Sequence, residues 1–379
     1  MLTTIADLNA YYRDFAPLDE LLADDRVSEI MVNGIDQVYK EVNGKLVDSG
    51  IKFADKDALV RVIQKLGENA GRRIDSAQPM MDARMQDGSR VNAVLAPVSV
   101  DGPSLTIRKF ARSPLTAEDL LKVGTYSEAA MGFLQAAVAS RLNIVVTGGT
   151  SSGKTTLLNI LSGFIPDDER IVTIEDTAEL QLRQRHVVKL EARIIPQPGE
   201  AKVEIRDLVI NALRMRPDRI VVGECRGGET MDMLQAMNTG HDGGLTTLHA
   251  NSPRDTLTRL ETMALMSGME MPLLSVRRQI ASAIHLIVQM ARLRDGSRRV
   301  VKIEEVIGME GEVVTMQEVF GFVATGTDAQ GRTAGELQPL GIRPKMLVRM
   351  TEAGIEYPAS VAAIWPSQAV WTERRKGKK

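Results

Sequence analysis

Eight consecutive residues, 148–155, constrain this chain more than any others. They read Gly-Gly-Thr-Ser-Ser-Gly-Lys-Thr, a complete match to the phosphate-binding pattern G-x-x-x-x-G-K-[ST]. In such a loop the glycines let successive backbone N–H groups face a chain of phosphates. Lys154 would reach the β- and γ-phosphates, and the hydroxyl of Thr155 would bind Mg²⁺. The residues expected around a nucleotide are Gly148, Gly149, Thr150, Ser151, Ser152, Gly153, Lys154, Thr155 and Thr156.

The sequence on either side of this loop favours the structure that the pattern requires. Residues 142–146 read Leu-Asn-Ile-Val-Val, a short run rich in β-branched residues that is typical of a buried strand. After the loop, apolar residues recur at helical spacing, namely Leu157, Ile160, Leu161 and Phe164. A strand, a glycine loop and a helix follow one another in the order that phosphate binding needs. This context argues against a chance glycine-rich turn.

Composition and charge exclude several classes of protein. The 379 residues are enough for two or three domains. Lys and Arg total 47 against 49 Asp and Glu, so the net charge of −2 argues against direct nucleic-acid binding. The single cysteine, Cys225, excludes an internal disulfide framework and a cysteine-cluster zinc site. No signal peptide and no apolar run near the ~20 residues of a membrane helix is apparent, so we expect a cytoplasmic chain.

Two regions of different pattern divide the chain. Residues 1–112 mix short helices with alternating strands and include a helix expected over 56–70. The expected strands of this α+β region include 29–34, 37–42, 90–97 and 104–110. Residues 113–125 read as a linker containing a short helix. Over residues 126–379 strands alternate with helices, which predicts an α/β domain on a mostly parallel sheet, with an irregular appendage at 324–345.

Two further apolar runs end in acidic residues. Residues 219–224 end at Glu224, which would act on Mg²⁺ or on the attacking water. Most phosphate-loop enzymes carry Asp where this chain has Gly223, so Glu224 alone would supply that carboxylate. Residues 171–176 deliver Glu175 to the same edge of a parallel sheet, where ligands bind. The sequence leaves open which glutamate orients water, and Glu175 reads equally well as a cap for a following helix.

Two of the four histidines lie in a glycine-rich segment, residues 239–253. His241 and His249 are suited to contact a γ-phosphate, to position water, or to report the loss of phosphate to a neighbouring loop. They lack the spacing of a helical metal pair and no cysteine accompanies them, so a zinc site is not expected. His186 and His285 lie in ordinary contexts and are interpreted as structural.

These motifs, in this order, resemble those of the type II/type IV secretion ATPase superfamily. Within it the chain is most similar to the CpaF/TadA branch, which powers assembly of tight-adherence (Flp) pili. The resemblance covers about residues 20–350. Segments outside the phosphate loop carry it as well, namely 82–92, 104–110, 213–219 and 223–229 for the superfamily and 331–344 for the pilus branch.

The resemblance implies a RecA-like core that hydrolyses ATP with Mg²⁺ in a homo-hexameric ring of two-domain subunits. Arg90 and Arg108 occupy the positions of arginines that close over the nucleotide from the N-terminal side, in the manner of an arginine finger. The output would pass to polytopic platform proteins of the inner membrane, with which the chain would associate peripherally. Pilus-extension relatives often carry four metal-binding cysteines, and this chain has only Cys225, so that module is not expected.

Two other functions stay open at this stage. One is a nucleic-acid motor, such as a conjugation or DNA-uptake ATPase or a RecA-like helicase. The near-neutral charge weighs against direct strand binding but not against a ring that serves a DNA-transport machine. The other is a scaffold that binds ATP and barely hydrolyses it, which the intact Lys154, Thr155 and Glu224 argue against. The basic end of the chain, residues 374–379, is expected to be a solvated tail.

Overall fold

The structure is a computed structural model, and it describes residues 5–42, 44–110, 115–194, 201–328, 331–356 and 358–366. The chain divides into two compact units, the first ending at Pro114 and the second beginning at Leu115. The basic tail at 374–379 and residues 113–114 of the expected linker lie outside the described residues. No helix in the described part is long and apolar enough to cross a membrane.

The first unit is an antiparallel sheet with helices. Its helices are α1 Ile5–Tyr12, α2 Asp19–Ala23 and α3 Lys56–Asn69. Its strands are β1 Val27–Asn33, β2 Gln37–Val42, β3 Lys45–Asp48, β4 Met80–Arg84, β5 Arg90–Val94 and β6 Ser104–Arg108, in the order β3-β2-β1-β6-β5-β4. α3 begins after Asp55, whose carboxylate accepts the N–H of Ala58 at 2.7 Å. The predicted helix and the predicted strands of this region are confirmed within one to three residues at their ends.

The second unit is built on a larger sheet flanked by helices. Its described strands are β7 Ile144–Gly148, β8 Ile171–Glu175, β9 Val187–Glu191, β10 Arg219–Val222, β11 Leu245–Leu248, β12 Leu286–Arg292, β13 Arg298–Glu310, β14 Val313–Thr327 and β15 Thr333–Pro339. They lie in the order β15-β14-β13-β12-β7-β11-β10-β8-β9. Strands β12 to β9 in that order are parallel, and β13, β14 and β15 extend the sheet in antiparallel fashion. The expected mostly parallel sheet is therefore confirmed.

Helices cover both faces of this sheet. They are α4 Ala117–Lys122, α5 Glu128–Ala139, α6 Lys154–Ser162, α7 Ile205–Ala212, α8 Glu229–Asn238, α9 Pro253–Leu265, α10 Leu273–Ala283, α11 Leu347–Glu352 and α12 Ala359–Ile364. Successive residues of β7 enter different cores, because side chains alternate along a strand. Ile144 and Val146 pack in the core with α5 and α6, whereas Val145 packs in the core with α7 to α10. A strand buried on both faces has consecutive apolar residues, here Ile144, Val145 and Val146, which is why the sequence predicted a strand at this place.

The short helix inside the expected linker packs in the second unit. Leu120 of α4 is buried in the core that contains α5. The hydroxyl of Tyr126 donates to the Ala117 carbonyl at 2.9 Å. Residues 115–125 therefore belong structurally to the second unit.

The prediction of an irregular appendage at 324–345 is wrong for residues 324–327 and 333–339, whereas residues 340–345 form no helix or strand, as predicted. β14 runs through Thr327, and β15 pairs with it in antiparallel register as an added strand. Gly326, with φ +136°, lies where the register shifts, and a Cβ added to Gly335 would lie 2.6 Å from the ring of Phe322. The glycines mark a bulge and a close approach between strands rather than a loop, so composition alone misled the sequence interpretation.

A buried ion pair near the amino ends of the parallel strands offers a test of this packing. Arg219 is fully buried and contacts Glu169 through two hydrogen bonds of 2.7 and 3.1 Å, while Arg141 reaches the same carboxylate at 3.0 Å. Arg219→Met leaves Glu169 buried without its main partner, so we expect the free energy of unfolding to fall by about 3–5 kcal/mol. Arg141→Met, at a side chain 44% exposed, should cost less than about 1 kcal/mol. Urea denaturation midpoints measure both, and equal shifts would contradict the prediction.

Candidate functional site

Four neighbouring parallel strands end at one edge of the second unit's sheet, in the spatial order β7, β11, β10, β8. Glu175 is the last residue of β8, Glu224 follows β10 by two residues, His249 directly follows β11, and Lys154 follows the loop after β7. Open parallel sheets bind ligands at this edge. The fold therefore brings these four sequence-predicted residues to the same edge.

The phosphate loop has the backbone that its sequence predicts. β7 ends at Gly148 and α6 begins at Lys154, so residues 149–153 form the loop. A Cβ added to Gly148, with φ +156°, would lie 2.5 Å from the Met290 carbonyl oxygen. Gly153 has φ +96°, a conformation that side chains disfavour. The Lys154 ammonium is largely buried and donates to the Gly149 carbonyl at 3.0 Å, which holds the positive charge at the loop.

Glu224, His249 and Lys154 form a compact group. Glu224 Oε1 lies 3.0 Å from His249 Nε2, and Lys154 Nζ lies 3.4 Å from His249 Nδ1. The approach of Glu224 to His249 is not aligned as a hydrogen bond. Oε1 is consequently a buried carboxylate oxygen with no hydrogen bond among the described residues. Such an oxygen is able to accept a proton donor such as water or to bind a cation.

The backbone on both sides of Glu224 is held by neighbouring strands. The N–H of Gly223 donates to the Ile174 carbonyl at 2.8 Å, and the N–H of Cys225 donates to the Thr247 carbonyl at 2.9 Å. The Thr247 hydroxyl donates to the Gly223 carbonyl at 2.8 Å. Glu224 thus projects from a backbone that β8 and β11 hold in place.

Arg226, which sequence reasoning did not select, fixes the other oxygen of Glu224. Its guanidinium donates to Glu224 Oε2 at 2.7 Å and lies 3.1 Å from the Asp176 carboxylate. Burial acts to raise the pKa of Glu224. The hydrogen bond and charge of Arg226, with His249 and Lys154 nearby, outweigh burial and hold that pKa below its ordinary value. Glu224 is therefore ionised at neutral pH. The sequence signal that could have identified Arg226 was its position two residues after Glu224.

His249 is neutral at the same pH. Burial lowers the pKa of its imidazole, and the positive charge of Lys154 lowers it further, while Glu224 opposes both effects. A neutral imidazole both donates and accepts a hydrogen bond. It lies between the carboxylate and the ammonium of this group.

Glu175 occupies a different environment at the same edge. It is 3% exposed, and its Oε2 accepts the N–H groups of Glu179 at 2.8 Å and Leu180 at 3.0 Å. Oε1 is buried with no hydrogen-bond partner in the described part of the chain. Burial raises the pKa of Glu175 to about 7, although the two N–H groups oppose this. Its side chain caps the loop that follows β8, and no helix begins there.

The position of Glu175 also accounts for the missing aspartate. A Cβ added to Gly223 would lie 2.9 Å from Glu175 Cγ. A larger residue at 223 would therefore displace Glu175. The glycine and the buried glutamate are parts of one arrangement.

The structure does not bring His241 to this edge. His241 precedes β11 and His249 follows it, so the two histidines lie at opposite ends of that strand. The expectation that both histidines act on phosphate is therefore corrected for His241. β11 crosses the sheet, so the residues before it and after it lie at opposite edges. His186 contacts Arg170, and His285 accepts the Asn143 N–H at 2.8 Å, with a pKa that burial lowers to about 4. His186 and His285 thus contact other side chains or the backbone, in keeping with their interpretation as structural residues.

The donor set at the site fits Mg²⁺. Thr155 lies in the first turn of α6, and Glu224 Oε1 is a carboxylate oxygen without a hydrogen bond. Among the described residues no group of three or more His, Cys, Asp and Glu is placed to enclose a metal. Mg²⁺ takes few protein oxygens and keeps water and phosphate ligands, which matches this sparse set. Cys225 is buried, and burial raises the pKa of its thiol to about 12, so it is no metal ligand.

Arg90 and Arg108 lie in the first unit, where they are cross-strand partners on β5 and β6. Arg90 donates to both carboxylate oxygens of Asp82, at 3.2 and 2.7 Å. Arg108 is exposed and lies opposite Glu29 of β1. These acids offset the repulsion between two like charges that face each other. A role of either arginine at the nucleotide stays a prediction.

Comparison with known proteins adds the following. A family model described as "Type II/IV secretion system protein" matches residues 12–349. The chain is 40% identical over 302 residues to a protein of Mycobacterium tuberculosis named as a conjugal transfer protein, covering 78% of this chain and 85% of that one. It is 34% identical over 294 residues to conjugal transfer protein TrbB of Rhizobium radiobacter, covering 76% and 86%.

A solved structure shares the fold. The Legionella pneumophila ATPase DotB aligns with a TM-score of 0.54 at 23% identity, over 82% of this chain and 81% of that chain. Together with the sheet order, this shows a RecA-like α/β core preceded by a smaller α+β unit.

Titration of Glu175 predicts a pH-dependent stability. Its pKa is about 7 when folded against an ordinary 4.5, so between these values the folded chain binds a proton that the unfolded chain releases. The free energy of unfolding therefore falls as pH rises through this window. Glu175→Gln removes the ionisation, so we expect the variant to be more stable than wild type at pH 8 by about 2–3 kcal/mol. At pH 5, close to the ordinary pKa of 4.5, the difference should fall below about 1 kcal/mol.

Thermal or urea denaturation at the two pH values checks this. Glu179→Gln, at a nearby partly exposed acid, is the matched control: it keeps Glu175, so its free energy of unfolding should fall between pH 5 and pH 8 nearly as that of wild type does. Equal stabilities of wild type and Glu175→Gln at pH 8 would show that Glu175 is not held in a costly ionised state.

Proposed function

Because the chain belongs to the type II/IV secretion system protein family, we propose that it is a Mg²⁺-dependent ATPase motor that drives assembly of a tight-adherence pilus. The observation that carries the proposal is the group formed by Lys154, His249 and Glu224 beside a complete phosphate loop. The pilus branch is supported by the resemblance of residues 331–344. The same hydrolysis would serve retraction of the pilus as well as its assembly.

Hydrolysis in such a site is positioning together with charge neutralisation. The loop N–H groups and the Lys154 ammonium would hold the β- and γ-phosphates. Glu224 Oε1 would accept a hydrogen bond from the attacking water and orient it towards phosphorus. Arg226 keeps Glu224 ionised and fixes its rotamer through Oε2. Mg²⁺, held by Thr155 and by Glu224 directly or through water, would neutralise charge on the phosphate oxygens.

The two glutamates are proposed to have separate roles. Glu224 is ionised and presents an oxygen without a hydrogen bond next to His249. Glu175 is directed to the backbone of residues 179 and 180 and titrates near neutrality. We therefore assign water orientation to Glu224, whereas Glu175 shapes the loop after β8.

The assembly and its location are part of the same proposal. Subunits would form a homo-hexamer, and Arg90 or Arg108 would complete the nucleotide site as arginine fingers. The ring would lie at the cytoplasmic face of the inner membrane and act on polytopic platform proteins. No direct contact with nucleic acid is proposed, since the net charge is −2.

A second function is favoured by the names of relatives. Two of them, at 40% and 34% identity, are named for conjugal transfer. The chain would then be an ATPase of a DNA-transfer secretion system, with the same chemistry and a different cargo. ATPase rates with and without single- and double-stranded DNA help to separate the two, because a motor that touches DNA is expected to be stimulated by it.

We expect Glu224→Gln to bind MgATP with an affinity close to wild type and to lose roughly 10²-fold or more in turnover, since the amide keeps the shape and loses the charge. Lys154→Ala should lose binding as well, and the exposed Glu270→Gln should match wild type. Phosphate release and equilibrium nucleotide binding are the measurements. An active Glu224→Gln together with an inactive Glu175→Gln would reverse the assigned roles.

We expect Arg108→Ala to lower turnover at least tenfold without loss of stability, because an arginine finger acts on transition-state charge. Arg61→Ala, at a side chain 67% exposed on α3, is the control. The specific activity of wild type should also rise with protein concentration, in step with the mass seen by light scattering. A fully active monomer would contradict the ring.

A further inference from the structure

The turn between β12 and β13, residues 293–297, leads directly into a residue that contacts the phosphate loop. Arg298 Nε donates to the Ser151 carbonyl at 2.9 Å. The arginine stem also covers Gly153, since a Cβ added there would lie 3.3 Å from Arg298 Cδ. One side chain thus holds the outer side of the loop at two points.

The residue that Arg298 holds has an unfavourable backbone conformation. Ser151 has φ +57°, one of few non-glycine residues with positive φ in the described chain. Residues 149, 150 and 151 are exposed, so little packing holds this part of the loop in place. A hydrogen bond to the Ser151 carbonyl fixes the peptide plane that follows it. That plane carries the N–H of Ser152, which donates to the Gly149 carbonyl at 3.4 Å and so closes the loop on itself.

The turn that carries Arg298 is held by Asp295, whose two carboxylate oxygens accept hydrogen bonds from two different segments. Asp295 Oδ1 accepts the N–H of Ser297 at 2.9 Å and its hydroxyl at 2.7 Å. Asp295 Oδ2 accepts the N–H of Thr333, the first residue of β15, at 2.6 Å. The hydrogen bonds from Ser297, with that from Thr333, lower the pKa of Asp295 to about 2, so it is charged at any working pH. β15, the turn and the phosphate loop are therefore linked in a continuous chain of contacts.

We propose that Arg298 is a positioning residue for the phosphate loop and that Asp295 sets its place by tying the turn to β15. The proposal rests on the proposed nucleotide-binding function and adds a residue set that the loop motif does not contain. It assigns a use to the C-terminal hairpin β14–β15, whose start of β15 anchors the turn. Arg298 is engaged with a carbonyl on the outer side of the loop, so its role is support rather than contact with phosphate.

The test measures nucleotide binding and turnover separately. We expect Arg298→Ala to raise the Kd for a fluorescent MgADP analogue and the KM for MgATP together by about tenfold, the value of one hydrogen bond from a charged donor. The change in kcat should stay within about threefold, as for an interaction made equally in ground and transition states. Arg298→Lys keeps the stem over Gly153 and a donor, so it should recover part of the affinity. Arg294→Ala, an exposed arginine of the same turn, should bind as wild type does.

Asp295→Asn tests the tie to β15. The remaining carboxamide oxygen can still accept from Ser297, but an NH₂ group facing the Thr333 N–H loses that hydrogen bond. We expect a rise in Kd of about threefold to tenfold, with an unchanged far-ultraviolet circular dichroism spectrum. Wild-type affinity in Asp295→Asn would overturn the part assigned to Asp295.

Three further outcomes decide whether Arg298 positions the phosphate loop. Wild-type binding by Arg298→Ala would overturn the proposal, and so would a loss of kcat at unchanged Kd, because Arg298 would then act on the transition state. Wild type and Lys154→Ala are measured alongside. If wild type does not bind MgADP at all, the proposed function fails; if it binds and Lys154→Ala does not, only the role of Arg298 is in question.

Discussion

The parallel pairing of β7, β11, β10 and β8 is the constraint on which the rest of the structure depends. Parallel strands all start at one edge of the sheet and end at the other. Their carboxyl ends, and the residues that follow them, therefore lie side by side although they are distant in sequence. The register pairs Leu248 with Thr147 and Val222 with Ile174. Four residues lie at or just after these strand ends, namely Lys154, His249, Glu224 and Glu175, and the strands themselves are buried on both faces.

The electrostatics of the edge separates two carboxylates of the same chemical type. Glu224 is stabilised as a charge by Arg226 and by the ammonium of Lys154, which outweigh its partial burial. Glu175 is more deeply buried, and its two backbone N–H donors and the charge of Lys189 do not offset that burial, so its proton is retained to about pH 7. Their separation arises from neighbours rather than from sequence, and pairs of acids with pKa values pushed apart are a recurring arrangement in hydrolytic sites.

Sequence reasoning succeeded where the physical signal is local. The phosphate loop, the buried strand before it and the helix after it are specified by short-range backbone needs and by apolar periodicity. It failed where the deciding contact is non-local. Residues 324–327 and 333–339 looked irregular because their glycines serve a bulge and a close approach between strands, visible only once β14 and β15 are paired. His241 looked equivalent to His249 because a four-residue strand, β11, separates them in space but barely in sequence.

The sequence by itself predicted the ligand class and determined the α/β core, the place of Lys154 and Thr155 at the start of the helix after β7, and the place of Glu175 and Glu224 at strand ends. These follow from residue type, spacing and strand direction. Only the tertiary structure decided that Arg226 holds Glu224, that Gly223 makes room for Glu175, and that Arg298 reaches the Ser151 carbonyl. The last of these joins residues 147 positions apart. The physical reason is that the pKa, rotamer and partners of a side chain depend on the groups that the fold packs against it. The distances to those groups cannot be obtained from the order of residues alone.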